Sequence, residues 1–290
     1  MMKKTKQIIV LLALLTMSAT MCAQDKLFTL EDLNFGGKNY FNMLPSNLWL
    51  TWWGDQLMYQ DAEEGGIIDE KGERKSLFHI SDIGDEWHSA MDALYPYPGQ
   101  SLVMLNNGKH RILYDFKQKK TVWQQQSFKQ AFASWNKESR AVAYVQDDQL
   151  YVTDAEGNTR KLTSDGSREI VYGQSVHRNE FGIDGGMFWS PDGQQLAFYR
   201  MDQSMVTDYP QVDIFQRNAS YEPDKYPMAG MTSHKVTVGV YDLRTGKTIY
   251  LDAGDPTDRY FTNISWSPDG STIYMFELNR RQNDCRLMAY

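Results

Sequence analysis

The sequence predicts an all-β fold: a β-propeller of four-stranded antiparallel blades, incomplete here at about four and a half blades. Three observations predict it. After residue 45, short strand-like runs alternate with turn signals, and no amphipathic helix of convincing length interrupts them. The runs recur, "FWSPDGQQLAFYRMD" at 188–202 matching "SWSPDGSTIYMFEL" at 265–278 almost position for position. Aromatic residues reach 13% of the chain, with 17 Tyr and 8 Trp, a composition that suits strands and turns better than long helices.

Residues 1–23 stand outside the fold. "MMKKTK" is a basic start, "QIIVLLALL" a short apolar run and "TMSATMCA" a small-residue close before Gln24, which is the order of a secretory signal peptide. The apolar run is too short to span a bilayer. Cleavage after Ala23 and export to the periplasm or cell surface are the expectation. Lipidation at Cys22 is the alternative, disfavoured by Met21 before it and by the lack of a small polar tether after it. Cleavage removes Lys3, Lys4 and Lys6 and no acid, so the net charge of −7 becomes −10, which argues against a nucleic-acid partner. The mature chain keeps only Cys285, so no disulfide forms within it. That thiol is either buried and inert or paired with a cysteine outside the chain.

Residues 24–46 read as a lead-in, and the repeats fill 47–290. Weaker copies are "TWWGDQLMYQ" (51–60) and "LYPYPGQSLVMLNN" (94–107), and a degraded one is "SWNKESRAVAYVQDD" (134–148). A second hairpin follows each copy, as in "RILYDFKQKKTVWQ" (111–124), "QLYVTDAEGNTRKLT" (149–163) and "VTVGVYDLRTGKTIYLD" (236–252). Pro191 presets φ, and Asp192-Gly193 tolerates a tight reversal. In the last hairpin Val236, Val238 and Val240 face one side of the pleat, and Thr237, Gly239 and Tyr241 the other. Four antiparallel strands at a period of about 40 to 50 residues is the signature of propeller blades. The longer spacings from Trp135 to Trp189 and from Trp189 to Trp266 locate insertions near 164–184 and 202–234. "CRLMAY" falls in what should be the third strand of a fifth blade. A propeller hides its edges only by closing, so the chain is expected to be the first part of something longer.

The motifs of common catalytic sites are missing. There is no Gly-x-Ser-x-Gly, P-loop or Gly-x-Gly-x-x-Gly, and no Cys/His metal spacing. His79, His88, His110, His177 and His234 lie far apart in sequence. No catalytic residue, metal or cofactor is therefore expected. Trp189 and Trp266 read as pegs packing between blades, and Asp184 as a loop carboxylate. The dense polar cluster "HRNEFG" (177–182) sits in the first insertion, with Glu180 close to Arg178 and beside Phe181. A carboxylate on a propeller rim can hold a cation such as a peptide's free amino terminus, more strongly beside an aromatic ring. The plainer alternatives are a surface salt bridge from Glu180 to Arg178, or a capping contact.

"RNEF…FWSPDGQQLAFYRMDQSMVTDYP" followed by "YPMAG…HKVTVGVYDLRTGKTIYLD" closely resembles the propeller domain of the dipeptidyl peptidase IV family, within the prolyl oligopeptidase superfamily. "FTLEDL" resembles that family's lead-in, so the resemblance covers about 27–290. Among its members the bacterial prolyl tripeptidyl peptidases look most similar. The resemblance implies an exported serine exopeptidase whose eight-bladed propeller covers a C-terminal α/β-hydrolase domain carrying the Ser, Asp and His. That part is not in this sequence, so the chain alone is expected to be inactive. It further implies that Glu180, with Asn179 and Arg178 beside it, binds the amino end of proline-containing peptides. The 202–234 insertion, with Tyr209, Pro210, Tyr226 and Pro227, resembles the fourth-blade arm through which such enzymes form homodimers. Two departures stand out. The dipeptidyl enzymes typically carry adjacent glutamates where this chain has Asn179-Glu180, which leaves room for a different reach. The family's substrate-facing propeller arginine has no match, Arg111 lying too far along its strand. A non-enzymatic exported binding propeller is the alternative, and a decayed gene whose product does not fold is a third. A downstream Gly-x-Ser-x-Gly would separate enzyme from binder.

Overall fold

The computed structural model describes residues 27–40, 48–128, 130 and 132–290. The expected signal peptide, its cleavage site and Cys22 lie outside the described residues. The chain divides into two compact units, 1–50 and 51–290. In the first, Thr29 caps the short helix α1 (Leu30–Leu33) reciprocally: its hydroxyl accepts from the Asp32 amide, and the Asp32 carboxylate accepts from the Thr29 amide.

The second unit is all-β, a succession of antiparallel sheets. Sheet I runs β1 (Trp49–Trp53), β2 (Gln56–Gln60), β3 (Glu64–Ile68), β4 (Arg74–His79) in that spatial order. Sheet II holds β5 (Leu102–Asn106), β6 (His110–Asp115) and β7 (Lys120–Gln126), with Leu94 bridging Met104 where a first strand would lie. Sheet III runs β8 (Ser134–Trp135), β9 (Val142–Gln146), β10 (Gln149–Thr153), β11 (Thr159–Lys161).

Sheet IV has a broken first strand. Both β12 (Ile170–Tyr172) and β13 (Met187–Trp189) pair with β14 (Gln195–Asp202), so three residues of the first insertion belong to the sheet and only the segment between β12 and β13 loops out. The chain leaves sheet IV after β14 and returns at β19 (Lys235–Asp242), which β20 (Lys247–Tyr250) follows. Between them a slender arm is built of two nested ladders. The inner pairs β15 (Asp208–Tyr209) with β18 (Asp224–Lys225), and the outer β16 (Val212–Asp213) with β17 (Ser220–Tyr221). Sheet V comprises β21 (Arg259–Trp266), β22 (Ile273–Asn279) and β23 (Cys285–Ala289). Cys285 is exposed, against the expectation of a buried, inert thiol.

Turn chemistry repeats with the sheets. In sheets I to IV an aspartate closes the outer hairpin by accepting backbone amides two to four residues on: Asp69, Asp115, Asp154 and Asp242. The two Trp-Ser-Pro-Asp-Gly turns are the same device. The Ser190 hydroxyl donates to Asp192 and accepts from the Gln195 amide, and Ser267 does the same with Asp269 and Thr272. Their tryptophans peg each sheet to the one before. The Trp189 indole donates to the Ser134 carbonyl of sheet III (3.2 Å), and Trp266 to the Phe188 carbonyl of sheet IV (2.9 Å).

Pleat alternation then builds two cores from one sheet. Ala197, Tyr199, Met201, Val236, Val238 and Val240 face the core shared with sheet V, while Leu196, Phe198 and Tyr241 face the one shared with sheet III. A third core, with Trp53, Phe78 and Val103 among its members, joins sheets I and II. The joint between sheets II and III is more polar. Gln125 donates to the Asp154 carbonyl and Trp123 to the Ala155 carbonyl, while the Arg111 guanidinium lies over Trp135. Among the described residues, the Arg111 Nε and Nη1, the Gln125 Oε1 and the Trp135 Nε1 are buried there without a hydrogen-bond partner, next to a cavity of about 870 Å3.

Candidate functional site

The looped-out segment between β12 and β13 carries the polar cluster. Its backbone is unusual. His177, Arg178 and Asn179 take φ of 51°, 57° and 61°, Glu180 returns to −77°, and Phe181 goes back to 58°. Left-handed torsions cost an L-residue about 1–2 kcal/mol each, so side-chain contacts must hold them.

Each strained residue has such a contact. His177 is 4% exposed, and its Nε2 accepts the Phe261 amide of β21 at 3.2 Å. Its Nδ1 therefore carries the proton and donates to His234 Nε2 at 2.8 Å. His177 also meets Tyr260 edge-on, with ring centroids 4.9 Å apart. Burial, reinforced by His234, depresses the His177 pKa to about 3. Burial, then the cations Arg280 and Arg178, depresses that of His234 to about 4, so both rings are neutral near pH 7. Arg178 donates to Asp224 at the arm root (2.8 Å) and lies over the Tyr226 ring (5.1 Å). The Asn179 carboxamide oxygen accepts from Ser175, and Phe181 packs on Tyr260 with centroids 5.0 Å apart.

Glu180 is the exception. It is exposed, and among the described residues its carboxylate makes no hydrogen bond or salt bridge. The expected alternative of a Glu180–Arg178 bridge is replaced by Arg178–Asp224. Glu180 lines a cavity of about 350 Å3 with Phe181, Tyr226, His234, Tyr260 and Arg280. Burial raises the Tyr260 pKa, Arg280 opposes the shift and the Glu180 charge adds to it, so this hydroxyl remains a neutral donor near pH 7. A free carboxylate and a phenol can together receive an ammonium, beside an Arg280 guanidinium already held by Asp258 and the Met231 carbonyl. Among the described residues no group of three or more His, Cys, Asp and Glu gathers that could hold a metal.

Sequence reading placed Arg178, Asn179 and Glu180 together, and the structure keeps them on one turn with only Glu180 unengaged. It did not connect Asp224, Tyr226, His234, Tyr260 and Arg280 with that turn. They come from the arm root and from sheet V, and nothing local in the sequence ties them to residue 180.

Residues 79–290 match the family model described as the dipeptidyl peptidase IV (DPP IV) N-terminal region. This chain belongs to that family. Among curated relatives, the probable dipeptidyl-aminopeptidase B of Phaeosphaeria nodorum is 30% identical over 182 residues, covering 56% of this chain and 20% of its own length. The protein of that name from Talaromyces marneffei is 29% identical over 173 residues, covering 53% and 19%. Among solved structures, the Bacteroides ovatus chain assigned as a dipeptidyl aminopeptidase IV superposes with a TM-score of 0.81 at 41% identity, over 91% of this chain and 38% of that one. Porphyromonas gingivalis dipeptidyl peptidase 4 shares the fold, with a TM-score of 0.65 at 18% identity, over 92% and 41%. The matched stretch thus spans about a fifth of the length of these curated relatives.

Proposed function

We propose that this chain is the amino-terminal propeller part of an exported, prolyl-specific serine exopeptidase, and that Glu180 receives the substrate's free amino terminus. The bond-breaking Ser, Asp and His belong to a C-terminal α/β-hydrolase part, and the propeller ring closes with further blades. Glu180 carries the reading: a carboxylate left free on a turn whose other side chains are all engaged, in a chain of the dipeptidyl peptidase family. An anchor for the ammonium, at a fixed distance from the nucleophile, counts residues to the scissile bond and so makes an exopeptidase. One acid beside Asn179, rather than two, favours a different reach from strict dipeptide release. The exposed Ile214 and Phe215 at the arm tip suit the arm to homodimer contact in the complete, periplasmic or surface-associated enzyme.

A hydrogen bond to a charged group contributes about 1.5–3 kcal/mol, so losing one weakens binding about 10- to 100-fold. In the complete peptidase, Glu180→Gln is expected to raise KM by about that factor for free-amino prolyl peptides, with little change for amino-blocked analogues. The substrate amine has a pKa of about 8, so wild-type KM should also climb above that pH while the variant stays flat. Equal KM for the two proteins on free-amino peptides removes Glu180 from the site.

A further inference from the structure

Arg178 sits two residues before the proposed anchor, yet its guanidinium points at the arm. It donates to Asp224 Oδ2 at 2.8 Å and stacks over Tyr226 at 5.1 Å, both on the arm's returning strand or just past it. The arm root is held separately. Asp208 receives Arg168 at 2.6 Å and Lys225 at 3.5 Å, while Lys225 also donates to the Val206 carbonyl and Arg168 to the Pro223 carbonyl. Asp224 and Tyr226 thus stand on a braced element, and Arg178 grips that element from the turn. The turn needs a grip, because three successive L-residues in left-handed torsions do not hold themselves.

We propose that Arg178 is a positioning residue: clamped by Asp224 and Tyr226, it fixes the left-handed turn and so aims Glu180, which makes recognition of the substrate's amino end depend on the arm root. This rests on the Glu180 reading above. Arg178 touches no substrate in this scheme. Its Nη1 is committed to Asp224 and its plane to the Tyr226 ring, although it borders the same cavity, and the carboxylate two residues on is the free group. Both partners in the ion pair are close to half exposed, so the pair adds little to global stability, while its orienting effect falls on one turn.

The experiment is a double-mutant cycle in the complete peptidase, on free-amino and amino-blocked prolyl peptides, with Tm recorded for every variant. Asp224→Asn is expected to raise KM about fivefold for free-amino peptides, to leave kcat within about twofold and to shift Tm little. Tyr226→Leu, which removes the ring beneath the guanidinium together with its contact to Tyr209 but keeps an apolar side chain in the cavity wall, should give a smaller rise in the same direction and serves if Asp224→Asn folds poorly. In a Glu180→Gln background both changes should have no further effect, because the clamp acts through that carboxylate. Arg178→Lys, which keeps the charge for Asp224 but not the planar stack, should fall between wild type and Asp224→Asn.

An unchanged KM in Asp224→Asn and Tyr226→Leu, with Glu180→Gln still impaired, overturns the clamp and leaves the anchor standing. A KM rise for Arg178→Met that persists in full on the Glu180→Gln background makes Arg178 a direct ligand and likewise overturns it. If Glu180→Gln alone changes nothing, the anchor fails and the clamp falls with it.

Discussion

Gly193 shows how little freedom the repeated turns leave. Its φ is +68°, and a Cβ there would sit 2.2 Å from Asn136 Oδ1 of sheet III, which itself accepts the Glu138 and Ser139 amides. Gly193→Ala must therefore strain the backbone and displace a hydrogen-bonded side chain at once. A loss of about 2 kcal/mol or more is expected, read as a lower denaturant midpoint at unchanged m-value. That turn was legible from the sequence, since Pro191-Asp192-Gly193 has one common conformational answer. The turn at 177–181 was not. Asn and His tolerate positive φ better than most residues, but Arg and Phe do not and no one of them demands it, so contacts from the arm root, from Ser175 and from sheet V impose it. Glu180 could be singled out by resemblance, but its freedom from Arg178 could not.

The buried His177–His234 pair is the joint where the looped-out segment, the arm's return and β21 meet. Its folded pKa values, about 3 and about 4, lie below the ordinary 6.5. The unfolded chain therefore binds protons first. The pair's contribution is fully present above about pH 6.5 and drains away as pH falls toward those folded values, by at most about 2 kcal/mol per ring at pH 5. His177→Gln keeps a donor and an acceptor but cannot titrate. Its denaturant midpoint should fall less between pH 7.5 and pH 5 than that of the wild type, although it starts lower. A fall as steep as the wild type's would place the acid sensitivity elsewhere. The strands on either side were readable because their alternation and turn residues are local. The pairing of two histidines 57 positions apart has no local signal.

At the scale of the 51–290 unit, the sheets are joined by faces rather than built around one centre. Repeat spacing revealed the sheets, because each copy must supply the same strands and turns. It could not reveal which joints would be apolar, because a strand's outward side chains are named only by the neighbour they meet. The joint between sheets II and III, with its unpartnered Arg111 atoms and adjoining cavity, should open more readily than the three apolar ones. Native-state hydrogen exchange should show β7 and β8 losing protection at lower denaturant than β14 and β19, and the reverse order would refute this ranking. In mechanical terms the sheets resemble the leaves of a book glued at every spine but one. Tension applied across sheets I to V would part the wet leaf first and yield two still-bound packets, sheets I–II and sheets III–V, before either packet tore.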